Sequence, residues 1–253
     1  MQRIIKDEKI GAIIQARINS TRLYGKIFSL LGGKPILEHI VQKLSKSHFI
    51  DEVIIATSDN DDDTKIVNWC KKKNIKYFTG EKHDVLSRFY NCALKYKLDT
   101  IVRVTSDNPL IDIEIVDEVI RLYQKKYDYV ANNVKKTFPH GLDVEVFNFS
   151  SLEKSFFDAK NESNREHVTQ YIRQNQNLFK IANYESINNY HDIRVTLDTK
   201  EDFEAIKEVV KIGGIDLKLS KLVQIYNENT WLYEINRHSK ETHDIYNKKN
   251  NII

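Results

Sequence analysis

The sequence predicts an α/β chain built on a mostly parallel, doubly wound sheet with an antiparallel extension. Three observations carry this. Short β-branched runs alternate with longer stretches of helical periodicity as far as Ala131, the pattern of strands covered by helices on both faces. The first run, Ile10 to Ile14, is continuously apolar, as a strand buried on both sides must be. Beyond residue 141 the period changes: Leu142 to Phe149 (LDVEVFNF) alternates strictly, which suits a half-exposed antiparallel strand.

In chain order, the buried strands are expected at Ile10–Ile14, Val53–Thr57, Lys76–Phe78, Thr100–Val104 and Tyr127–Ala131. Helices are expected between them at Pro35–Ser45, Asp62–Lys73, Val85–Tyr96 and Ile115–Lys125. Pro35 suits a first helical turn, and the acids before Ile66 suit the positive end of a helix dipole. After the alternating strand come helices near Ser151–Ala159 and Asn164–Gln174, strands at Phe179–Tyr184 and Asp192–Thr196, and a helix at Glu201–Lys211. The Gly213-Gly214 break divides a main domain, residues 1–212, from a helical appendix, residues 213–253, whose Lys- and Asn-rich end is expected to be poorly ordered.

Composition excludes several classes. A chain of 253 residues with 41% hydrophobic content is long and apolar enough for a large core. Its 39 Lys and Arg against 36 Asp and Glu leave +3, too little excess for a dedicated nucleic-acid binder. Cationic groups that matter should therefore be local. No apolar run approaches membrane-spanning length, and MQRIIKDEKI has no apolar core of a signal peptide. Cys70 and Cys92 fall in helical segments and read as buried small side chains. A reduced, cytoplasmic setting is the expectation.

In an open α/β sheet, ligands bind beyond the carboxyl ends of the strands. The loop after the first strand reads Gln15-Ala16-Arg17-Ile18-Asn19-Ser20-Thr21-Arg22-Leu23-Tyr24-Gly25-Lys26. Three cations and two hydroxyls on one loop can line an anion site: arginine forks match phosphate oxygens and lysine supplies a compact charge. A solvated basic loop is the plain alternative. The spacing is not that of a Walker A loop. Asp107, in TSDNPL, and Asp198, in VTLDT, each stand alone just after a β-branched run. Two such carboxylates could share a magnesium ion, or each could cap a turn or helix. Asp59-Asn60-Asp61-Asp62-Asp63 contains a D-x-D pattern but precedes a helix, and reads as a helix start.

The phosphate-type loop and the following LLGGKPILEHIV resemble the opening signature, A-R-x-x-S-x-R-L-P-G-K, of the cytidylyltransferase family of CMP-sialate and CMP-Kdo synthetases. The branch of spore-coat polysaccharide synthesis F proteins is the nearest. Arg17, Ser20, Arg22, Leu23, Gly25 and Lys26 match; Tyr24 replaces the usual Pro and Asn19 a common Gly. TSDNPL and DTKEDF resemble the family's T-G-D-x-P-L and D-T-P-E-D-L, with Ser106 for Gly and Lys200 for Pro. Further segments, G-x-x-x-D-V-L-x-R-[FY], G-L-D-V-E-V and R-E-H-V-T, match from Gly80, Gly141 and Arg165. The resemblance runs from residue 10 to about residue 210.

It implies a GT-A-like nucleotidyltransferase fold and transfer of CMP from CTP to a small acidic acceptor, with Mg2+ as cofactor. Ala16, Arg17, Ser20, Arg22 and Lys26 would hold the triphosphate, with Arg17, Arg22, Lys26 and Asp107 in the catalytic set. Thr57 and Ser58 would lie near cytosine, Asp84 would contact the nucleotide or simply cap a helix, and Arg103 would face the phosphates or form a structural ion pair. Asp107 and Asp198 would bind the metal. His140, Asp143, Glu145, Glu166, His167 and Arg88 would form the acceptor pocket; for His167 a structural role is the competing reading. Family members commonly pair through a β extension near GLDVEV, so a homodimer is expected. The rival readings are a glycosyltransferase using a nucleotide sugar, or a non-catalytic nucleotide-binding protein.

Overall fold

A computed structural model describes residues 8–20, 22–124 and 126–242. The first seven residues, Thr21, Lys125 and the Lys- and Asn-rich end from residue 243 lie outside the described residues. The elements are β1 (Ile10–Gln15), β2 (Leu30–Leu31), β3 (Lys34–Pro35), α1 (Ile36–Leu44), β4 (Glu52–Ser58), α2 (Thr64–Lys73), β5 (Lys76–Gly80), α3 (Val85–Tyr96), β6 (Thr100–Thr105) and α4 (Ile113–Tyr123). They continue with β7 (Tyr129–Ala131), β8 (Glu145–Asn148), α5 (Phe149–Asp158), α6 (Glu162–Glu166), α7 (Gln170–Gln174), β9 (Ile181–Asn183), α8 (Lys200–Gly213), α9 (Leu219–Glu228) and α10 (Leu232–Ile235).

Seven strands form one sheet in the order β5-β4-β1-β6-β8-β7-β9. β5, β4, β1 and β6 run parallel; β8 is antiparallel to both of its neighbours. Parallel neighbours need crossovers, and α1, α2 and α3 supply them. Period-two alternation sends successive side chains to opposite faces. On one face Ile10, Ala12 and Ile14 pack with α1, α2, α4, α8, α9 and α10; on the other, Ile13, Ile54 and Ile101 pack with α3, α5 and α7.

The structure departs from the expected elements in several places; Pro35, for one, is the N-cap residue of α1 and not part of its first turn. The alternating run at 142–149 is no exposed extension: β8 lies inside the sheet between β6 and β7, and Glu145, Val146 and Phe147 are all buried. Alternation there reflects a buried polar network on one face, described below; β8 takes in only the last two residues of GLDVEV and is paired on both edges within the sheet. The helix expected over 164–174 is broken into α6 and α7, because Val168 takes a positive φ of 53°. Asp192–Thr196 forms only an isolated bridge, His140 to Arg194. α4 starts two residues early, since Asp112 caps it by accepting from the Glu114 N–H. Beyond Gly214, Leu217, Leu222, Ile225, Tyr226 and Leu232 all enter the larger core cluster.

Candidate active site

The carboxyl ends of β1 and β6 open into a polar cleft lined by Ala16, Arg17, Ser20, Arg22, Lys26, Arg88, Asp107, Glu166, His167 and Asp198, among others. Its floor is built by pinning two distant loops together. The Leu197 N–H donates to the Asp107 carbonyl at 2.8 Å, so the chain after residue 196 lies against the loop that leaves β6. Lys26 Nζ then reaches both loops: it is 2.9 Å from Asp198 Oδ1 and 3.4 Å from Asp107 Oδ2, and donates to the Leu197 carbonyl at 2.6 Å. Those two contacts laid end to end limit the separation of the carboxylate oxygens to about 6.3 Å. Thr105 Oγ1 donates to Asp107 Oδ1 at 2.5 Å and fixes its rotamer.

Asp198 is the more enclosed of the two acids, with a side chain 10% exposed against 27% for Asp107. Arg22 Nη2 approaches Asp198 Oδ1 at 3.0 Å and Arg194 Nη2 approaches Oδ2 at 3.3 Å. Burial alone would raise the Asp198 carboxyl, but Lys26, Arg22 and Arg194 outweigh it and hold it well below the usual carboxylate range. Behind it stands a pair that sequence reading missed. Fully buried Asp202 accepts from Arg194 Nε and Nη2, both at 2.8 Å, and from the Asp198 and Thr199 N–H groups at 3.0 and 3.1 Å. Thr199 caps α8 and completes a capping box with Asp202. That T-x-x-D spacing is readable in the sequence, and it assigns the cap to Thr199, leaving Asp198 free to face the cleft.

The phosphate-type loop is held from below by the acidic run. Asp63 Oδ1 accepts from the Ile18 N–H at 2.7 Å, and Asp63 Oδ2 from Ser58 Oγ at 2.5 Å. Asn19 Nδ2 donates to Asp62 Oδ2 at 2.5 Å. The DNDDD segment thus starts a short helical turn, as expected, and also anchors the loop to the end of β4. Gly25 turns the chain with φ 69°, bringing Lys26 back under the cleft.

Several expected site residues are placed elsewhere. Thr57 is fully buried and Ser58 is engaged by Asp63, so neither side chain faces the cleft. Asp84 caps α3 through the Ser87 N–H at 2.8 Å, and its other oxygen takes Arg165 Nε and Nη2 at 2.7 and 2.5 Å; the helix-cap reading holds. Glu145 is buried against Arg103, Tyr129 Oη (2.6 Å) and Thr169 Oγ1 (2.7 Å), which removes it from an acceptor pocket. Arg103 forms that ion pair and also donates to Gln15 Oε1 at 2.9 Å. His140 Nδ1 lies 2.9 Å from Arg194 Nη1, and Asp143 accepts from its own turn at the Gly141 N–H. His140 thus reaches the Asp198 side of the floor through Arg194.

Glu166 and His167 do line the cleft. Their support is now visible: Arg165 ties α6 to α3 through Asp84 and lies over the Phe156 ring. The Thr169 N–H donates to the His167 carbonyl at 2.5 Å, closing a three-residue turn about Val168. Such turns with positive φ are strained for a β-branched residue. Burial lowers the His167 imidazole below its ordinary range, so it is neutral at pH 7.

A basic loop and two convergent carboxylates at the carboxyl ends of a mostly parallel sheet are the features of a nucleotidyltransferase. Residues 11–249 match the model of a cytidylyltransferase family, and the chain belongs to that family. It is 34% identical to the spore coat polysaccharide biosynthesis protein SpsF of Bacillus subtilis, over 86% of this chain and 93% of that one. An uncharacterised protein of Methanocaldococcus jannaschii is 38% identical over 92% and 96%. The solved structure of a cytidylyltransferase from Leptospira borgpetersenii superposes with TM-score 0.85 at 32% identity, covering 89% of this chain and 97% of that one. A CMP-Kdo synthetase solved with CTP shares the fold at TM-score 0.60 and 14% identity, over 81% and 99%. The protein is therefore a CTP-dependent nucleotidyltransferase.

Proposed function

We propose that this enzyme transfers CMP from CTP to a small acidic acceptor, a phosphorylated or carboxylated sugar or polyol, releasing pyrophosphate, in the synthesis of a surface polysaccharide precursor. The observation that carries the reading is the convergence of Asp107 and Asp198 on the Lys26 ammonium at the floor of a cleft rimmed by Arg17 and Arg22. Kinship with a spore coat polysaccharide protein supports the pathway class.

Magnesium fits this floor. Asp107 and Asp198 are hard oxygen donors that already converge on one cation, and magnesium favours one or two carboxylates plus phosphate oxygens. These two residues would hold it, and the ion, when bound, would offset the charge of the triphosphate. Among the described residues no cluster of three or more His, Cys, Asp or Glu could hold a metal, so phosphate and water would complete the shell.

The chain's own residues supply position and charge, on which phosphoryl transfer chiefly depends. Lys26, Arg22 and Arg17 neutralise phosphate oxygens. The acceptor oxygen attacks the α-phosphorus in line, the α–β bridging bond breaks, and pyrophosphate leaves with the electron pair. An acceptor phosphate or carboxylate is already anionic and needs no general base. Neutral His167, beside Glu166, offers a hydrogen bond to the acceptor. The reading includes a homodimer acting in the cytoplasm. It is tested by a pyrophosphate-release screen of four NTPs with magnesium against a panel of acidic acceptors. CTP should lead by at least about ten-fold, roughly 1.4 kcal/mol of discrimination; equal use of UTP would overturn the base assignment, and failure of every acidic acceptor would overturn the acceptor class.

A further inference from the structure

The cleft has two ends of different chemistry. At one end Lys26 and Arg22 already face Asp107 and Asp198. At the other stands Arg88, on the first turn of α3. Its side chain lies over Gly80, the last residue of β5, with Cγ 3.6 Å from where a Cβ on that glycine would sit. Arg88 is only 4% exposed and lines the cleft. Its Nη1 donates to the Glu81 carbonyl at 3.1 Å, its one hydrogen bond among the described residues, and its Nε is buried with no partner.

A guanidinium carries five N–H donors, and leaving them buried without acceptors costs free energy. What Arg88 lacks is acceptors more than negative charge. Burial and the neighbouring Arg17 disfavour its charged form and burial prevails, but three carboxylates, Asp63, Asp59 and Asp84, are already near enough to supply negative charge. A neutral group with two adjacent acceptors matches that need. If the triphosphate lies at the carboxylate end, as proposed above, the base would fall at the Arg88 end, where Val85 and Ala16 give the cleft apolar wall. Cytosine presents O2 and unprotonated N3 side by side, both acceptors. Uracil presents O2 beside an N3–H, a donor facing a donor.

We propose that Arg88 is a specificity-determining residue that reads the O2/N3 edge of cytosine. This rests on the proposed use of CTP and names how the site selects it. A site built to hydrogen-bond one partner rejects an isostere that lacks the matching group far better than an apolar pocket can.

The test is equilibrium binding of nucleotides with magnesium to the full chain, with no acceptor needed. Wild type should bind CTP at least ten-fold tighter than UTP, and 3-deaza-CTP, which has no N3 acceptor, at least ten-fold weaker than CTP. Arg88→Gln should bring CTP and UTP within about threefold, mainly by weakening CTP, and should leave inorganic pyrophosphate binding unchanged. The deaza analogue uses unaltered protein, so it decides the matter even if the variant fails to fold. Equal binding of CTP and 3-deaza-CTP would overturn the proposal, as would an Arg88→Gln protein that loses pyrophosphate and both nucleotides equally, the mark of an anion site. Wild type binding UTP as well as CTP would instead sink the cytidylyl reading itself, and this proposal with it.

Discussion

Replacing Asp198 and Asp107 singly with Asn separates two roles that the floor of the cleft combines. Asn keeps the shape and removes the charge. Asp198 is the buried member: its loss leaves Lys26 and Arg194 short of a carboxylate. Removing one partner of a buried ion pair costs about 3–5 kcal/mol when the other is stranded. Here Lys26 keeps the Leu197 carbonyl and Asp107, and Arg194 keeps Asp202, so about 1–3 kcal/mol is the expected cost. For a chain of this size that lowers Tm by roughly 3–10 °C. Asp107 is more exposed and its contact with Lys26 is longer, so Asp107→Asn should cost under about 1 kcal/mol. The Asp198 carboxyl is held below its unfolded value, so its contribution is complete above the unfolded pKa near 4 and is lost only as pH falls through the folded value; melting at pH 7.5 reads it in full. Turnover, measured as pyrophosphate release from CTP, should fall at least about 100-fold in both, the scale on which charge stabilisation is lost. The double variant should be scarcely slower than either. Near-normal turnover in either variant refutes the shared site, and a larger Tm loss in Asp107→Asn than in Asp198→Asn refutes the account of its burial.

Three other outcomes follow from the geometry. Gly141 has φ 111°, and a Cβ there would stand 2.5 Å from the Thr196 nitrogen; Gly141→Ala should lower the urea midpoint by the equivalent of at least about 2 kcal/mol and depress turnover by shifting the chain that carries Asp198. At Val168, Gly normally loses about 1 kcal/mol to Ala through its freer unfolded chain. The positive φ reverses this, so Val168→Gly should be at least as stable as Val168→Ala by denaturant titration. Burial lowers the Lys43 ammonium to about 8, so the unfolded chain binds the extra proton between pH 8 and the unfolded value near 10.5. The stability of wild type relative to Lys43→Met should therefore rise across that window, and a flat difference would remove the assignment.

The parallel half of the sheet is legible in the sequence because its strands are buried on both faces and its helices carry strong periodicity; α3 is readable to the residue, with Asp84 marking its start. β8 misleads because alternation ordinarily means water on one side. Glu145 alternates with apolar residues, yet it faces Arg103, Tyr129 and Thr169, and a one-dimensional pattern does not distinguish a solvated glutamate from one buried against a distant arginine. The break at Val168 is equally hidden, since nothing in a valine announces a positive φ. Cleft residues are legible where a motif carries them: the loop from Ala16 to Lys26, Asp107 and Asp198. Of their supports, Asp63 and Arg165 act through contacts with Ile18 and Asp84, far away in the chain, which spacing does not record; Asp202 is announced by its capping-box spacing from Thr199, but its pairing with Arg194 is not.

The position of β8 also governs how the chain is made. β6 ends at residue 105, but the strand that covers its edge, β8, begins at residue 145 and lies between β6 and β7. A nascent chain that has emerged only as far as α4 carries β6 with a bare row of backbone donors and acceptors, the kind of edge that recruits other chains. Asp198 emerges later still. Synthesis therefore passes through a stage in which the nucleotide loop is present, one acid of the floor is missing and a sheet edge is open. A ribosome-stalled or truncated product ending near residue 125 should aggregate and turn over no CTP, and protection of that edge falls to whatever chaperone meets the chain in the interval.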